Sequence, residues 1–116
     1  GAANAGPLLT DIRELPSAAS RLDDGEGSIL HVDAFGNLIT SFAEPILAPG
    51  SWVLEGGGRT ETILLSAGRT FSDVGPGQMV LYVGSAGWLE IAVRDGSAAT
   101  MTGLFRGARI RLRSPS

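Results

Sequence analysis

The sequence predicts an all-β fold, a small antiparallel sandwich or Greek-key barrel of about seven short strands. Two observations support this class. Short apolar runs bounded by Gly and Pro recur about every ten residues, a spacing typical of all-β domains. In the last run, Ile110 and Leu112 alternate with arginines, so one face is expected to be buried and the other solvated.

Each predicted strand is one of these apolar runs. Gly56-Gly57-Gly58, between the third and fourth runs, suits a hairpin turn that needs positive φ angles. Only residues 97–104 are predicted to contain a short helical turn. The runs, in chain order, are Ile29–Val32, Leu38–Phe42, Trp52–Leu54, Thr60–Leu65, Met79–Val83, Trp88–Val93 and Ala108–Arg113.

The first part of the chain lacks this pattern. Residues 1–27 are predicted to be a linker and N-terminal extension, in which residues 8–15 could form a turn of helix that ends at Pro16. The polar segment 23–27 marks the boundary. Residues 28–116 are therefore expected to form the compact β domain.

Composition argues against several kinds of site. The 116 residues include no Cys and a single His, which removes disulfides, thiolate nucleophiles, Cys-based zinc sites and a His-rich metal site. The net charge of −3 argues against nucleic-acid binding, and an RNA-binding barrel that uses the C-terminal arginines is a weaker alternative. No apolar run reaches the length of a membrane span. We expect a chain that binds no metal, nucleic acid or membrane.

The turn Asp33-Ala34-Phe35-Gly36-Asn37 is the first candidate binding site. It places a carboxylate, an aromatic face and an amide close together, and Gly36 permits close approach of the backbone. The amide of Asn37 carries the donor and acceptor that an adenine edge requires, and the Asp33 carboxylate can accept from an ammonium group or ribose hydroxyls. The alternative is an ordinary tight turn in which Phe35 fills the core.

Two further turns offer polar groups. Gly84-Ser85-Ala86-Gly87 presents a hydroxyl and backbone amides that could hold a carboxylate. Arg94-Asp95-Gly96-Ser97 follows the next predicted strand. An ordinary hairpin connection and a surface turn with a local ion pair explain these segments equally well. His31, two residues before Asp33, is interpreted as a strand histidine rather than a general base.

Three segments in order, Ile29–Thr40 (ILHVDAFGNLIT), Thr70–Gly75 (TFSDVG) and Leu81–Val93 (LYVGSAGWLEIAV), carry a specific combination of motifs. Together they resemble the C-terminal domain of the S-adenosylmethionine hydroxide adenosyltransferases, a family related to the fluorinase and chlorinase enzymes. The resemblance covers roughly residues 28–113.

The resemblance implies a C-terminal β domain that follows a larger N-terminal α/β domain in a cytoplasmic homotrimer. The active site would lie between the N-terminal domain of one subunit and the C-terminal domain of a neighbour. Water or hydroxide would displace methionine at C5′ of S-adenosylmethionine, giving adenosine and methionine. No metal or cofactor beyond this substrate is implied. Ala86 stands where the fluorinase has Arg, and Leu89-Glu90-Ile91 follows the hydroxide branch, which favours hydroxide over a halide.

The family's motifs also imply binding roles at matching positions. In the methionine half of the site, Asp33 would hold the ammonium group and Ser85 the carboxylate. In the adenine half, Asn37 would bond the base edge while Phe35 lines the pocket. The backbone at residues 94–95, Arg94 and Asp95, would also meet the adenine. None of these roles is catalytic, because the water-activating residues belong to the N-terminal domain.

The chain departs from the family pattern at Ser41, Gly84 and Arg94, where many members carry Asn. These departures leave a second interpretation open, a non-catalytic β interaction module with a decayed adenosyl site.

Overall fold

The computed structural model describes residues 20, 22, 25–43, 47, 49–56 and 62–114. Among these residues, the structure contains seven strands, a short 3₁₀ helix at Phe71–Asp73 and one α-helix, α1, at Ala98–Thr102. The all-β class and the helical turn predicted within residues 97–104 are both confirmed. The strands are β1 (Glu26–Val32), β2 (Leu38–Ala43), β3 (Gly50–Gly56), β4 (Ile63–Ala67), β5 (Met79–Val83), β6 (Trp88–Val93) and β7 (Arg109–Arg113).

The strands form a closed barrel in the order β1-β2-β6-β5-β4-β3-β7. The neighbouring strands pair antiparallel except β4 and β5, which are parallel through Ser66↔Val80 and Ala67↔Leu81. β7 closes the barrel because it pairs with β1 on one side and β3 on the other. Of the two predicted architectures, the chain therefore adopts the barrel.

Five strands differ in extent from the predicted runs. β1 begins at Glu26 rather than Ile29, β2 ends at Ala43 rather than Phe42, and β7 begins at Arg109 rather than Ala108. The prediction for β3 covered only Trp52–Leu54, but the strand spans seven residues because both neighbours, β4 and β7, supply hydrogen bonds along it. β4 ends at Ala67 rather than Leu65, since Ser66 and Ala67 pair with β3 and β5.

Some predictions fall on parts of the chain that the structure does not describe. The turn of helix at residues 8–15 and most of the extension at residues 1–27 lie outside the described residues. The predicted Gly56-Gly57-Gly58 turn lies only partly within them, although the antiparallel pairing of β3 with β4 agrees with a connection of that kind.

Alternating side chains fill the barrel. In β7, Ile110 and Leu112 are buried while the intervening arginines are exposed, as the alternation predicts. Within the described residues, no helix is both long enough and apolar enough to span a membrane. The largest wholly buried side chains are Phe42, Ile29, Leu38, Leu54, Leu65, Leu81, Leu89, Ile91 and Leu112.

The outer face of β2 is also covered. Ile39 and Trp88 form a second buried cluster against Leu30. Ser41 is 2% exposed, and its Oγ accepts a 2.9 Å hydrogen bond from the Ser28 backbone N–H and lies 2.6 Å from Ser20 Oγ. Ser41 is therefore a structural residue that fixes the start of β1 and Ser20 against the barrel.

The α1 helix closes one end of the barrel beside the β1–β2 turn. Ser97 caps its N-terminus, because Ser97 Oγ accepts from the Thr100 N–H at 3.1 Å. The Ala99 N–H donates to the Gly36 carbonyl at 2.9 Å. The first candidate turn is thereby held by a hydrogen bond to α1.

Candidate functional site

Asp33 organises the β1–β2 turn. Its Oδ1 accepts hydrogen bonds of 2.9 Å from the backbone N–H groups of Phe35 and Asn37. Its Oδ2 accepts a 3.0 Å bond from Asn37 Nδ2. A carboxylate has about four acceptor positions and the Asn amide has two donors and a carbonyl. Both side chains therefore keep capacity for a ligand while they fix each other.

Gly36 is required at its position by conformation and by space. Its φ is +83°, and a Cβ built there would overlap Ser97 Oγ and lie 2.7 Å from Ser97 Cβ. The Gly36 N–H donates to the Asp33 carbonyl at 3.0 Å. The turn thus approaches α1 more closely than any other residue type allows.

Phe35 does not fill the core. Its side chain is 79% exposed, so the interpretation of Phe35 as a core residue is wrong. Instead, Phe35 and Asn37 line one wall of a cavity of about 450 Å³. This volume lies within the range of small-molecule sites. The full lining is Phe35, Asn37, Ala92, Val93, Asp95 and Gly96.

Asp95 faces the first turn across this cavity. Its φ of +61° is the only positive value of a non-glycine residue among those described. A left-handed backbone outside glycine is strained, and such strain occurs often at functional sites. The structure therefore brings Phe35, Asn37 and Asp95, three of the residues predicted from sequence, to one cavity.

Arg94 lies beside this cavity and does not line it. Its N–H donates to the Gln78 carbonyl at 3.0 Å, and its carbonyl accepts from the Gly77 N–H at 2.7 Å. Its Nη1 donates to the Val74 carbonyl at 2.8 Å. These bonds hold the segment before β5 against the end of β6. The backbone N–H and carbonyl of Arg94 thus already form hydrogen bonds within the chain.

Ser85 lies at the other end of β6, in the β5–β6 turn. That turn is closed by bonds of 2.9 Å from the Gly84 N–H to the Trp88 carbonyl and from the Gly87 N–H to the Gly84 carbonyl. Ser85 is exposed and does not line the cavity beside Asn37. The predicted site residues thus fall into two groups, one at each end of β6.

Between these ends lies a polar pair that the sequence reasoning missed. Tyr82 Oη donates to Glu90 Oε1 at 3.0 Å. Burial, with the charge of Asp33 adding to it, raises the pKa of Glu90, although the Tyr82 hydrogen bond opposes the shift. Burial and the charges of Glu90 and Asp33 raise the pKa of Tyr82 well above its ordinary value. Alternation places Glu90 on the outer face of β6, but no local pattern identifies Tyr82 as its partner.

The C-terminal arginines lie on another face. Arg111 pairs with Glu26 at 2.7 Å and Arg113 with Glu55 at 3.3 Å, all on exposed or half-buried strand positions. Two of the arginines thus have acidic partners, as expected of a solvated strand face. Within the described part of the chain, no group of three or more His, Asp or Glu side chains could hold a metal ion.

The fold defines the class of the chain as a small closed β-barrel domain, with a concave cavity beside the β1–β2 turn. Residues 27–111 match the sequence profile described as the SAM (S-adenosylmethionine) hydroxide adenosyltransferase C-terminal domain. The chain belongs to this family.

Two curated relatives carry the name (R)-S-adenosyl-L-methionine hydrolase. The protein from Thermus thermophilus is 44% identical over 87 residues, which are 75% of this chain and 31% of the relative. The protein from Salinispora tropica is 32% identical over 114 residues, 95% of this chain and 42% of the relative. The chain thus spans about a third to two fifths of these relatives.

Two solved structures share the fold. A conserved hypothetical protein from Thermus thermophilus matches with a TM-score of 0.62 at 40% identity, over 77% of this chain and 35% of that protein. An uncharacterized conserved protein from Thermotoga maritima matches with a TM-score of 0.68 at 26% identity. The match covers 76% of this chain and 35% of that protein.

Proposed function

We propose that this chain is the substrate-binding C-terminal domain of an S-adenosylmethionine hydrolase that gives adenosine and methionine. Catalysis requires an N-terminal α/β domain of the same or a neighbouring subunit, in a cytoplasmic homotrimer. The cavity shared by Phe35, Asn37 and Asp95 carries the proposal, because it joins the family's motif residues into one concave site. The curated relatives add the reaction, and their greater length leaves room for the second domain.

In the proposed reaction, an oxygen of water or hydroxide forms a bond to C5′ while the C5′–S bond breaks. The electron pair of that bond leaves with the sulfur of methionine, and the water proton passes to a group of the other domain. Such a displacement needs the nucleophile in line with the departing sulfur, so fixing the substrate lowers the barrier. This chain supplies that fixation and uses no metal or further cofactor.

The adenine half of the substrate binds beside Asn37. The Asn37 amide pairs with the base edge, Phe35 covers the base, and the backbone at Asp95 and Gly96 forms the opposite wall. Since the Asp33 bonds already orient this amide, little conformational freedom is lost when the base binds.

The methionine half binds between Asp33 and the turn that contains Ser85. The Asp33 carboxylate accepts from the ammonium group, and the Ser85 hydroxyl with its neighbouring N–H groups donates to the carboxylate. The two turns lie at opposite ends of β6, which suits an elongated ligand with a base at one end and an amino acid at the other.

The alternative is a non-catalytic β interaction module with a decayed adenosyl site. It rests on Ser41, Gly84 and Arg94, where the family pattern has Asn. Ser41 bonds Ser28 and lies against Ser20 in the interior, and the Arg94 side chain bonds Val74. These two residues hold the barrel together and do not line the cavity.

The test uses the full-length protein and chromatographic detection of adenosine and methionine. Asn37→Ala removes the base-edge contact. Asp33→Asn removes the charge and keeps one oxygen for the backbone N–H groups of the turn, but it also removes the acceptor of Asn37 Nδ2. Hydrogen bonds to charged groups contribute about 1.5 to 3 kcal/mol, so KM for S-adenosylmethionine should rise about tenfold or more in Asp33→Asn. Glu26→Gln, at the start of β1 and therefore at the other end of that strand from the Asp33 turn, is the control. Unchanged KM in both site variants would overturn the residue assignments.

A further inference from the structure

The Tyr82–Glu90 pair continues the candidate site along the barrel surface. In the strand register, Ile39 lies opposite Glu90, and Glu90 lies opposite Tyr82. Glu90 and Ala92 are two residues apart on β6, so their side chains share the outer face about 7 Å apart. Because Ala92 lines the cavity beside Asn37, Glu90 is the next outward side chain from that cavity along β6.

Glu90 also reaches the second turn. A Cβ built on Gly84 would overlap Glu90 Oε2. The carboxylate therefore lies against the backbone just before Ser85. A strip of outward-facing positions runs from Asn37 through Ala92, which is 2% exposed, and Glu90 to Gly84, and it connects the two ends of the proposed ligand.

The orientation of the Glu90 carboxylate is fixed. Tyr82 Oη holds Oε1 at 3.0 Å from the adjacent strand, and Gly84 leaves space for Oε2. Burial raises the pKa of Glu90, and the nearby charge of Asp33 raises it further. A neighbouring negative charge disfavours the ionised form of a half-buried carboxylate. A cation placed between the two carboxylates relieves this repulsion and is the ligand charge that such a surface favours.

We propose that Glu90, oriented by Tyr82, is a further binding residue that selects the positively charged, methionine-derived half of the ligand. This inference rests on the proposed function and adds to it. S-adenosylmethionine carries a sulfonium and an ammonium group, whereas the product adenosine carries neither. Glu90 therefore favours S-adenosylmethionine over adenosine, while Asn37 and Phe35 bind both through the base.

The test compares two ligands of different charge in the full-length protein. Glu90→Gln keeps the size of the side chain and an oxygen that accepts from Tyr82, removes the charge, and replaces the second oxygen with an amide group. KM for S-adenosylmethionine should rise about tenfold, while the inhibition constant of adenosine stays within a factor of about two of wild type. Glu26→Gln makes the same chemical change on β1, far from the strip, and should alter neither constant.

Each outcome separates the two proposals. If Glu90→Gln leaves the KM of S-adenosylmethionine unchanged in an active enzyme, the inference is overturned and the proposed function stands. If adenosine binding weakens as much as substrate binding, Glu90 is structural and the inference is again overturned. If the wild-type protein neither hydrolyses S-adenosylmethionine nor binds adenosine, the proposed function fails and the inference fails with it.

Discussion

Gly36 offers the sharpest test of how the candidate site is built. Alanine at this position faces two separate costs. A left-handed backbone costs a residue with a Cβ about 1 to 2 kcal/mol, and the Gly36 φ is +83°. The new Cβ would also overlap Ser97 Oγ, and such overpacking costs about 1 to 3 kcal/mol. Gly36→Ala should therefore lower the free energy of unfolding by about 2 to 5 kcal/mol.

A matched control separates the two costs. Gly107 has a similar φ of +91°, but a Cβ there would meet nothing within 4 Å. Gly107→Ala should cost only the conformational part, about 1 to 2 kcal/mol. Urea unfolding followed by circular dichroism gives both values, and thermal unfolding gives a second measure, since 1 kcal/mol shifts Tm by about 4 to 8 °C in a domain of this size.

A double variant tests whether Ser97 is the cause of the extra cost. Ser97→Gly removes both side-chain atoms nearest the new Cβ, and glycine at an N-cap costs only a few tenths of a kcal/mol. In the double variant with Gly36→Ala, most of the free energy lost to overpacking should be recovered. The two substitutions should therefore show a coupling energy of about 1 kcal/mol or more. If Gly36→Ala and Gly107→Ala are equally destabilising, or if the double variant shows no coupling, the close approach of the turn to α1 does not constrain the site.

Three further predictions concern the barrel. Thr40→Val removes a buried hydroxyl that donates to the Leu89 carbonyl at 2.8 Å, and should cost about 1 to 3 kcal/mol in urea unfolding; a loss below about 0.5 kcal/mol would show that this bond contributes little. The pKa of Glu90 is raised in the folded state, so the folded protein holds the Glu90 proton to a higher pH than the unfolded chain does. The contribution of Glu90 to the free energy of unfolding therefore falls as pH rises through its folded-state pKa. Glu90→Gln should therefore gain stability relative to wild type as pH rises from about 4 to about 8, and parallel pH profiles would contradict this. Glu26→Gln breaks a half-exposed ion pair with Arg111 and should change stability by less than about 1 kcal/mol, which salt titration of the wild type and variant can confirm.

The local part of the fold was predictable because each strand carries its own signal. β5 and β6 match the predicted runs Met79–Val83 and Trp88–Val93 residue for residue. Both are dense in β-branched and apolar residues and end in Gly-containing turns. The parallel pairing of the consecutive strands β4 and β5 was not predicted, because an apolar run does not indicate the direction in which its strand pairs with a neighbour.

The candidate site was predictable only in part, for a similar reason. The Asp33–Asn37 turn is a contiguous motif, and its chemistry can be read from its residue types. The approach of Asp95 to Phe35 and the Tyr82–Glu90 bond both depend on register between strands. The sequence marks Ser41 only as a departure from the Asn of the family pattern. Its burial and its hydrogen bond to Ser28 give it a structural role that no local pattern indicates.

The closure of the barrel by β7 has a consequence for the order of folding. β1 and β3 acquire their last partner only when Arg109–Arg113 is in place, and the β1–β7 register joins Glu26 to Arg111. Joining residues so distant in sequence requires closing a long loop, which is slow relative to local hairpins. Until β7 emerges from the ribosome, β1 and β3 remain open edges that can pair with other chains. Removal of the last strand should therefore cause aggregation rather than a smaller, still soluble barrel.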